Sequence, residues 1–513
     1  RVRIVNLAVR MANDRNFDAE AMIKRLKAPV FGIDLHWMVH CQGAVEVARL
    51  VKRYHPTAKL VFGGFSSSYF YRELMDFPEV DYVMRGDSTE EPLRQLMDCI
   101  KDGIEPEAVP NLVWRDSQGT TRENPFSNVP ADLNGVMVNH YANTVRSVIR
   151  YRDLASYVPF SNWRDYPITA VFTCRGCTEN CIICGGSAAA FRQCYNRGKV
   201  AFRSVNAVAE DVRQIERFSN GPIFILGDPR QPGDDYATEL LQLLRKNGAK
   251  NQFILELFTP ASTEFVQQMA LCCPKFCLEI SPESHDPEVR KACGRNYSTE
   301  ELEQTLGDAL DAGCGRLDVF FMIGLPKQTP QSVAETIDYC DYLLQKFRGD
   351  KRLCLFIAPI SPFLDPGSLA FEQPERHGYH ILFRKLEEHR QALLSPSWKY
   401  SLNYETEWMT RHQIAEAAYD AILRLTRLKA KYGNISPELA EAGERRIIAA
   451  WEMMHRIDDL MASGKLEQEL PRLKPEIDAI NTLPVSDKTQ LELPVGWIKL
   501  KPWRILWSLL TGR

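Results

Sequence analysis

The chain has 513 residues, 45% of them hydrophobic and 25% charged, with a formal net charge of −3. That length exceeds what one hydrophobic core organises and implies two or three domains. The near-neutral balance offers no basic surface for a nucleic-acid backbone, and no apolar run reaches membrane-spanning length or forms a secretory signal.

Four strand-like runs precede residue 90, at residues 2–7, 29–34, 59–63 and 81–84, with helical patterns between them. Short apolar runs ending at Gly or Asp read as buried parallel strands. The first run starts at once behind Arg1, so a truncated front end is expected. Val47, Leu50, Val51 and Tyr54 recur at helical spacing and predict one apolar face on the sheet. Alternation of this kind predicts an α/β, Rossmann-like domain over residues 1–130, with ligands at the carboxyl ends of its strands. Two loops lie there: Gly63-Gly64-Phe65-Ser66-Ser67-Ser68 and Arg85-Gly86-Asp87-Ser88-Thr89-Glu90. Paired glycines admit close backbone approach, and serines supply short hydrogen-bonding groups. His36 is expected over the sheet edge. Residues 110–125 read as a hairpin, and 131–165 as a linker packed across the domain junction.

Six further strand-like runs alternate with helices, at 168–173, 222–227, 253–258, 276–281, 317–324 and 353–358. They predict a partial (β/α)6 barrel over 166–360. The first strand runs into a loop with four of the 14 cysteines, Cys174, Cys177, Cys181 and Cys184. The last three stand as C-x3-C-x2-C. Three thiolates on one loop suit three corners of a 4Fe–4S cluster and leave one iron open. Zinc on all four cysteines is the alternative, but zinc ribbons separate their knuckles by a dozen residues or more. A disulfide pair is disfavoured because nothing marks secretion. An oxygen-labile cluster points to a reducing cytoplasm.

Residues 361–513 read as a mainly helical region. A proline-rich loop around Pro359, Pro362 and Pro366 ends the barrel and either lines its mouth or packs. Thr410 and Gln413 form a capping box for a helix with Ile414, Ala418, Ala421, Ile422, Leu425 and Leu428 on its apolar face, closed by Gly433. Tyr404, Glu405, Trp408 and Met409 are candidates for a lid. The tail sets Trp497, Trp503 and Trp507 among Ile498, Leu500, Leu506, Lys499, Lys501 and Arg504. It predicts either docking on the protein's own helices or peripheral membrane contact.

The Cys177, Cys181 and Cys184 spacing, with Ile183 before the last cysteine, resembles the signature of radical S-adenosylmethionine (SAM) enzymes. The two glycine loops resemble the cobalamin-binding domain of cobalamin-dependent members, with Asp87 where glutamate is usual. The resemblance implies cobalamin contacts at Gly63, Gly64, Ser66, Ser68, Gly86 and Asp87. It implies SAM contacts at Gly227 and Asp228 (amino group), Ser281 and Glu283 (ribose), Arg295 (carboxylate) and Gly324 (adenine). The implied cofactors are a 4Fe–4S cluster on Cys177, Cys181 and Cys184, SAM and cobalamin. An electron donor of flavodoxin or ferredoxin type is implied with them. The implied reaction uses SAM as radical source and methyl donor to methylate an unactivated carbon of a small molecule or lipid. Radical cyclisation, rearrangement or carbon–carbon coupling on the same fold is the first alternative. A non-catalytic iron–sulfur redox protein, with Cys174 as fourth ligand, is the second.

Overall fold

The computed structural model describes residues 2–136, 141–482, 493 and 499–511. Its first sheet takes five strands in sequence order: β1 (Val30–Asp34), β2 (Lys59–Gly63), β3 (Tyr82–Met84), β4 (Leu112–Arg115) and β5 (Thr121–Glu123). The first three are parallel, and the β4–β5 hairpin joins antiparallel. Leu60, Val61 and Phe62 of β2 are all buried, as a strand covered on both faces requires. Helix Cys41–Tyr54 packs on this sheet, but its buried face is rotated from the expected stripe. Ala44, Val45, Ala48 and Val51 are buried, while Val47 and Leu50 are only part-buried. The two alanines allow the helix to approach the sheet closely.

One expected strand is absent. Residues 2–6 are irregular and Leu7–Asn13 is a helix, capped by the Asn6 side chain accepting from the Val9 N–H at 3.1 Å. Val2 and Ile4 are exposed, so the β-branched run has no sheet to bury it. The Asn cap decides the local structure instead.

The second sheet begins with β6 (Thr169–Phe172). A small antiparallel ribbon follows, β7 (Cys174–Arg175) with β8 (Ala201–Phe202). Then come β9 (Ile223–Leu226), β10 (Phe253–Leu257), β11 (Phe276–Glu283), β12 (Leu317–Ile323) and β13 (Leu353–Pro359). The order is β13-β12-β11-β10-β9-β6 with every neighbour parallel, so β6 and β13 are the edges of a six-stranded partial barrel. Ile225, Leu255, Leu278, Val319 and Leu355 face the surrounding helices and join one large core. Their neighbours Phe224, Glu256, Glu279, Asp318 and Cys354 therefore face the lumen. The segment 131–165, expected as a linker without clear pattern, contains helix Tyr141–Tyr151, none of whose residues is fully buried.

Beyond the barrel, β14 (Tyr379–Ile381) pairs antiparallel with β15 (Tyr404–Thr406). Three helices follow, Arg411–Lys431, Pro437–Ala462 and Leu466–Thr482, the first opening on the expected Thr410–Gln413 capping box. Tyr404, one of the lid candidates, lies inside the C-terminal hairpin. It is fully buried, and its hydroxyl donates to the Ile360 carbonyl at 3.0 Å. In the tail, Asn220 N–H donates to Lys499 O and Lys501 N–H to Phe218 O, both at 2.9 Å, which docks 499–501 just before β9. Helix Pro502–Thr511 carries exposed Trp503 and Trp507; Trp497 and Ile498 lie outside the described residues. Among the described residues no helix is long and apolar enough to cross a membrane.

Candidate functional site

β6 delivers the chain directly to the cysteine loop, which is pinned from three sides. Ala188 N–H donates to Glu179 O at 2.8 Å and Ile182 N–H to Cys293 O at 3.2 Å. Gly185 N–H donates to Asp365 Oδ2 at 3.1 Å, so the proline-rich loop after β13 braces the cysteines. Gly294 has φ +91°, and a Cβ there would stand 3.0 Å from Asn180 O. Glycine lets the loop lie against this turn. Glu179 N–H points to Cys177 Sγ and Gly186 N–H to Cys184 Sγ, each at 3.3 Å. Burial pushes the Cys177 thiol up to about 11 and that of Cys184 to about 12, and the neighbouring sulfurs add to both. Cys184 nevertheless remains solvent-accessible. Among the described residues no three His, Cys, Asp or Glu side chains converge as a metal-holding set. The three sulfurs share the loop without meeting at one point.

The strand ends around this loop hold the other expected contacts. Gly227 (φ +80°) donates its N–H to Glu256 Oε2 at 3.1 Å. Asp228 is already engaged: Arg230 forks onto it at 3.0 and 2.6 Å, and Phe258 N–H donates to it at 2.9 Å. Glu283 and Arg295 pair with each other at 3.2 Å, both buried, and Arg295 also donates to Phe258 O at 2.7 Å. Arg295 Nε and Tyr297 Oη are buried without a hydrogen-bond partner. Ser281 is half-buried on β11. Gly324 lies under the C-terminal hairpin. Its carbonyl accepts from Tyr379 at 2.9 Å, and a Cβ on it would stand 2.1 Å from Tyr404 Oη.

In the first sheet, Gly63 ends β2, Gly64 follows it, and Gly86 follows β3. Gly64 has φ +108°, and a Cβ would meet the His36 N and Leu35 backbone at 2.7 Å. Ser66 donates to His36 O and Ser68 to Gly64 O, both at 2.9 Å, while Ser68 Oγ accepts from Gly86 N–H at 2.9 Å. These serines brace one loop against the other. Asp87 forms a buried ion pair with Arg197, from the segment after the cysteine loop. Arg175, between Cys174 and Cys177, donates to Ser88 Oγ at 2.9 Å and pairs with Glu90. His36 stacks on Phe65 with ring centres 4.5 Å apart, and Phe65 packs on Tyr195 at 4.6 Å. Trp37 remains 59% exposed beside them.

The model of the Radical SAM superfamily matches residues 171–340, and that of the B12 binding domain matches residues 1–95. The chain belongs to the cobalamin-binding-domain-containing radical SAM proteins. A curated relative, the cytidylyl-2-hydroxyethylphosphonate methyltransferase of Streptomyces wedmorensis, is 22% identical over 253 residues, 45% of each chain. The chain thus spans about half the length of that relative. The radical SAM methyltransferase TsrM from Kitasatospora setae, solved with cobalamin and a 4Fe–4S cluster bound, superposes with a TM-score of 0.56 at 14% identity over 83% of this chain and 82% of TsrM. The radical enzyme OxsB, solved with aqua-cobalamin and SAM bound, gives 0.54 at 12% identity over 94% and 74%. At these identities the likeness is one of fold.

Set in that family, the radical SAM barrel and the B12-binding domain meet through residues that sequence reasoning passed over. Arg175 and Arg197 clamp the loop after β3 to the cysteine segment; the only signal was Asp87 in place of the usual glutamate. A row of Glu256, Glu279, Asp318 and Cys354 also went unnoticed. These are register partners on β10 to β13, one per strand, and they face the lumen. Glu279 is pushed up to about 7 by burial, then by the Asp318 and Glu256 carboxylates. Strand pairing alone brings the four together, so local sequence gave no cue. The residues present suit the family's cofactors. The cysteine loop supplies three soft donors and N–H groups aimed at sulfur. The unpartnered Arg295 Nε and Tyr297 Oη suit a ligand with a carboxylate and hydroxyls. Exposed Trp37 and the His36–Phe65–Tyr195 stack offer apolar area for a large flat ligand.

Proposed function

We propose that this chain is a cobalamin-dependent radical SAM methyltransferase acting on an unactivated carbon of a small molecule. The observation that carries the reading is the clamp between the two cofactor segments. Asp87–Arg197 and Ser88–Arg175 fasten a loop of the B12-binding domain to both flanks of the cysteine loop. The methyltransferase named as a relative supports the same reaction class. In this reading residues 1–130 form the cobalamin domain, 131–165 the connection, 166–360 the barrel and 361–513 the helical region.

Cys177, Cys181 and Cys184 hold the cluster, while Cys174, with Gln231 Nε2 3.7 Å from its sulfur, stays a structural thiol. When bound, the cluster and SAM supply a 5′-deoxyadenosyl radical and cobalamin carries the methyl group. Arg295 and Tyr297 turn their free donors to SAM, and Glu283 holds the Arg295 fork in place. Gly64 and Gly86 keep the cobalamin loops in their left-handed turns, and Ser66 and Ser68 tie them together. Tyr379 and Tyr404 close the barrel over Gly324 and exclude water. The chain's work is to hold three partners in line. The electron comes from a flavodoxin- or ferredoxin-type donor.

Anaerobic reconstitution tests this directly. The protein is expected to retain about four irons and one cobalamin per chain after desalting. A chain that loads iron but repeatedly loses cobalamin would contradict the methyltransferase reading and favour radical cyclisation or coupling.

A further inference from the structure

The C-terminal helices, with Pro362 of the proline-rich loop, border a partly open pocket of about 390 Å³, and none of its lining residues belongs to the cysteine loop or the cobalamin-side loops. Sites for small ligands measure roughly 300–1,000 Å³. One wall is apolar. It is made by Met453 and Met454 of helix Pro437–Ala462 and by Ile477 and Ile480 of helix Leu466–Thr482. The opposite wall is the segment around Ser397 and Trp398.

Ser397 supplies a second, independent observation. It is 6% exposed, and its buried hydroxyl has no hydrogen-bond partner. Buried polar groups almost always find one, because leaving them unmatched costs stability. Its neighbours are satisfied: Ser401 Oγ donates to Trp398 O at 2.6 Å, and Trp398 Nε1 donates to Tyr419 Oη at 3.0 Å. Trp398 and Tyr419 line the cavity with their polar ends already occupied, which leaves ring surface for a ligand. The helix that closes the apolar side carries Pro471 and Pro475 in its interior. Each lacks an N–H for the helical ladder, so this cover is held mainly by its packing.

We propose that the cavity is a second small-molecule site, taking a flat apolar body of one or two rings with a carbonyl oxygen presented to Ser397. The Ser397 hydroxyl, buried behind the wall, turns about χ1 to donate to that oxygen. Trp398 and Tyr419 pack on the rings, and the flexible methionines adapt to their outline. The site is separate from the cobalamin–cluster mouth, so it stands or falls independently of the methyltransferase reading.

The test uses the reconstituted full chain with two probes, 1-acetonaphthone and naphthalene, followed by calorimetry and tryptophan quenching. Wild type is expected to bind both saturably at one site, the ketone about fivefold more tightly, the size of one neutral hydrogen bond. Ser397→Ala is expected to erase that preference and keep the naphthalene affinity. Ala450→Phe, which fills the cavity from its wall, is expected to weaken both probes at least tenfold, with Ile480→Trp as a second filling variant should the first not fold. Absence of saturable binding in wild type overturns the proposal. So does unchanged affinity in a folded cavity-filling variant, or a ketone preference that survives Ser397→Ala.

Discussion

Asp87 and Arg197 are joined in an ion pair across the junction of the two cofactor segments, with side chains 3% and 2% exposed. Arg197 also donates to Pro130 O at 3.1 Å and to Ser88 Oγ at 3.3 Å, which satisfies the guanidinium on several sides. Removing one partner strands a buried charge. Asp87→Leu or Arg197→Leu alone is therefore expected to cost about 3–5 kcal/mol, and the double variant clearly less than the sum. Urea unfolding of the four chains measures the cycle. A sum that is simply additive would show that the pair does not act as a unit.

Gly64 holds the first cobalamin loop in a backbone region that favours glycine, at φ +108°. Gly64→Ala adds a Cβ 2.7 Å from the His36 N and the Leu35 backbone, groups that cannot move aside as a side-chain tip does. A loss of about 1–3 kcal/mol is expected, with weakened cobalamin retention. Gly63→Ala is the control, since a Cβ there meets nothing within 4 Å. Visible absorbance after desalting reads the cobalamin, and thermal unfolding reads the stability. Equal retention by the two variants would remove Gly64 from the account.

Glu279 makes stability depend on pH in a stated direction. Its folded-state value of about 7 lies above the ordinary 4.5, so between those values the folded chain holds the extra proton. This residue's contribution is then fully present below about 4.5, falls as pH rises, and is lost above about 7. Glu279→Gln keeps the shape and cannot ionise. The melting-temperature advantage of the variant over wild type is expected to grow from pH 4.5 to 7 and then level off. A constant difference across that window would mean that Glu279 titrates normally.

Cys174 separates the catalytic reading from an electron carrier. Its sulfur contacts Gly176 O and Gln231 Nε2, at 3.6 and 3.7 Å, and burial pushes its thiol up. Cys174→Ala is expected to keep the iron content of wild type, whereas alanine at Cys177, Cys181 or Cys184 should each lose most of it. Iron and sulfide assays decide the matter. Loss of iron in Cys174→Ala would point to four protein ligands and a sealed cluster.

Much of the architecture was legible because parallel strands announce themselves as short apolar runs: β2 and β10 begin where the pattern predicts. Residues 2–7 misled because β-branched composition was read without a partner strand, and the Asn6 cap was overlooked. At the site, glycines and cysteines were visible because their chemistry is local. What Glu283 and Arg295 touch was not, because folding brings the two together, and Asp228, besides its chain neighbour Arg230, takes the N–H of the distant Phe258. The lumen row from Glu256 to Cys354 depends wholly on strand register.

Radical SAM chemistry coupled to cobalamin shows in the nucleosides the chain releases. The reconstituted protein is incubated anaerobically with SAM and a reductant, with and without hydroxocobalamin, and the products are quantified by mass spectrometry. 5′-Deoxyadenosine that vanishes in Cys177→Ala is expected, together with additional S-adenosylhomocysteine that appears only with cobalamin. Neither product from a chain with an intact cluster would contradict that chemistry.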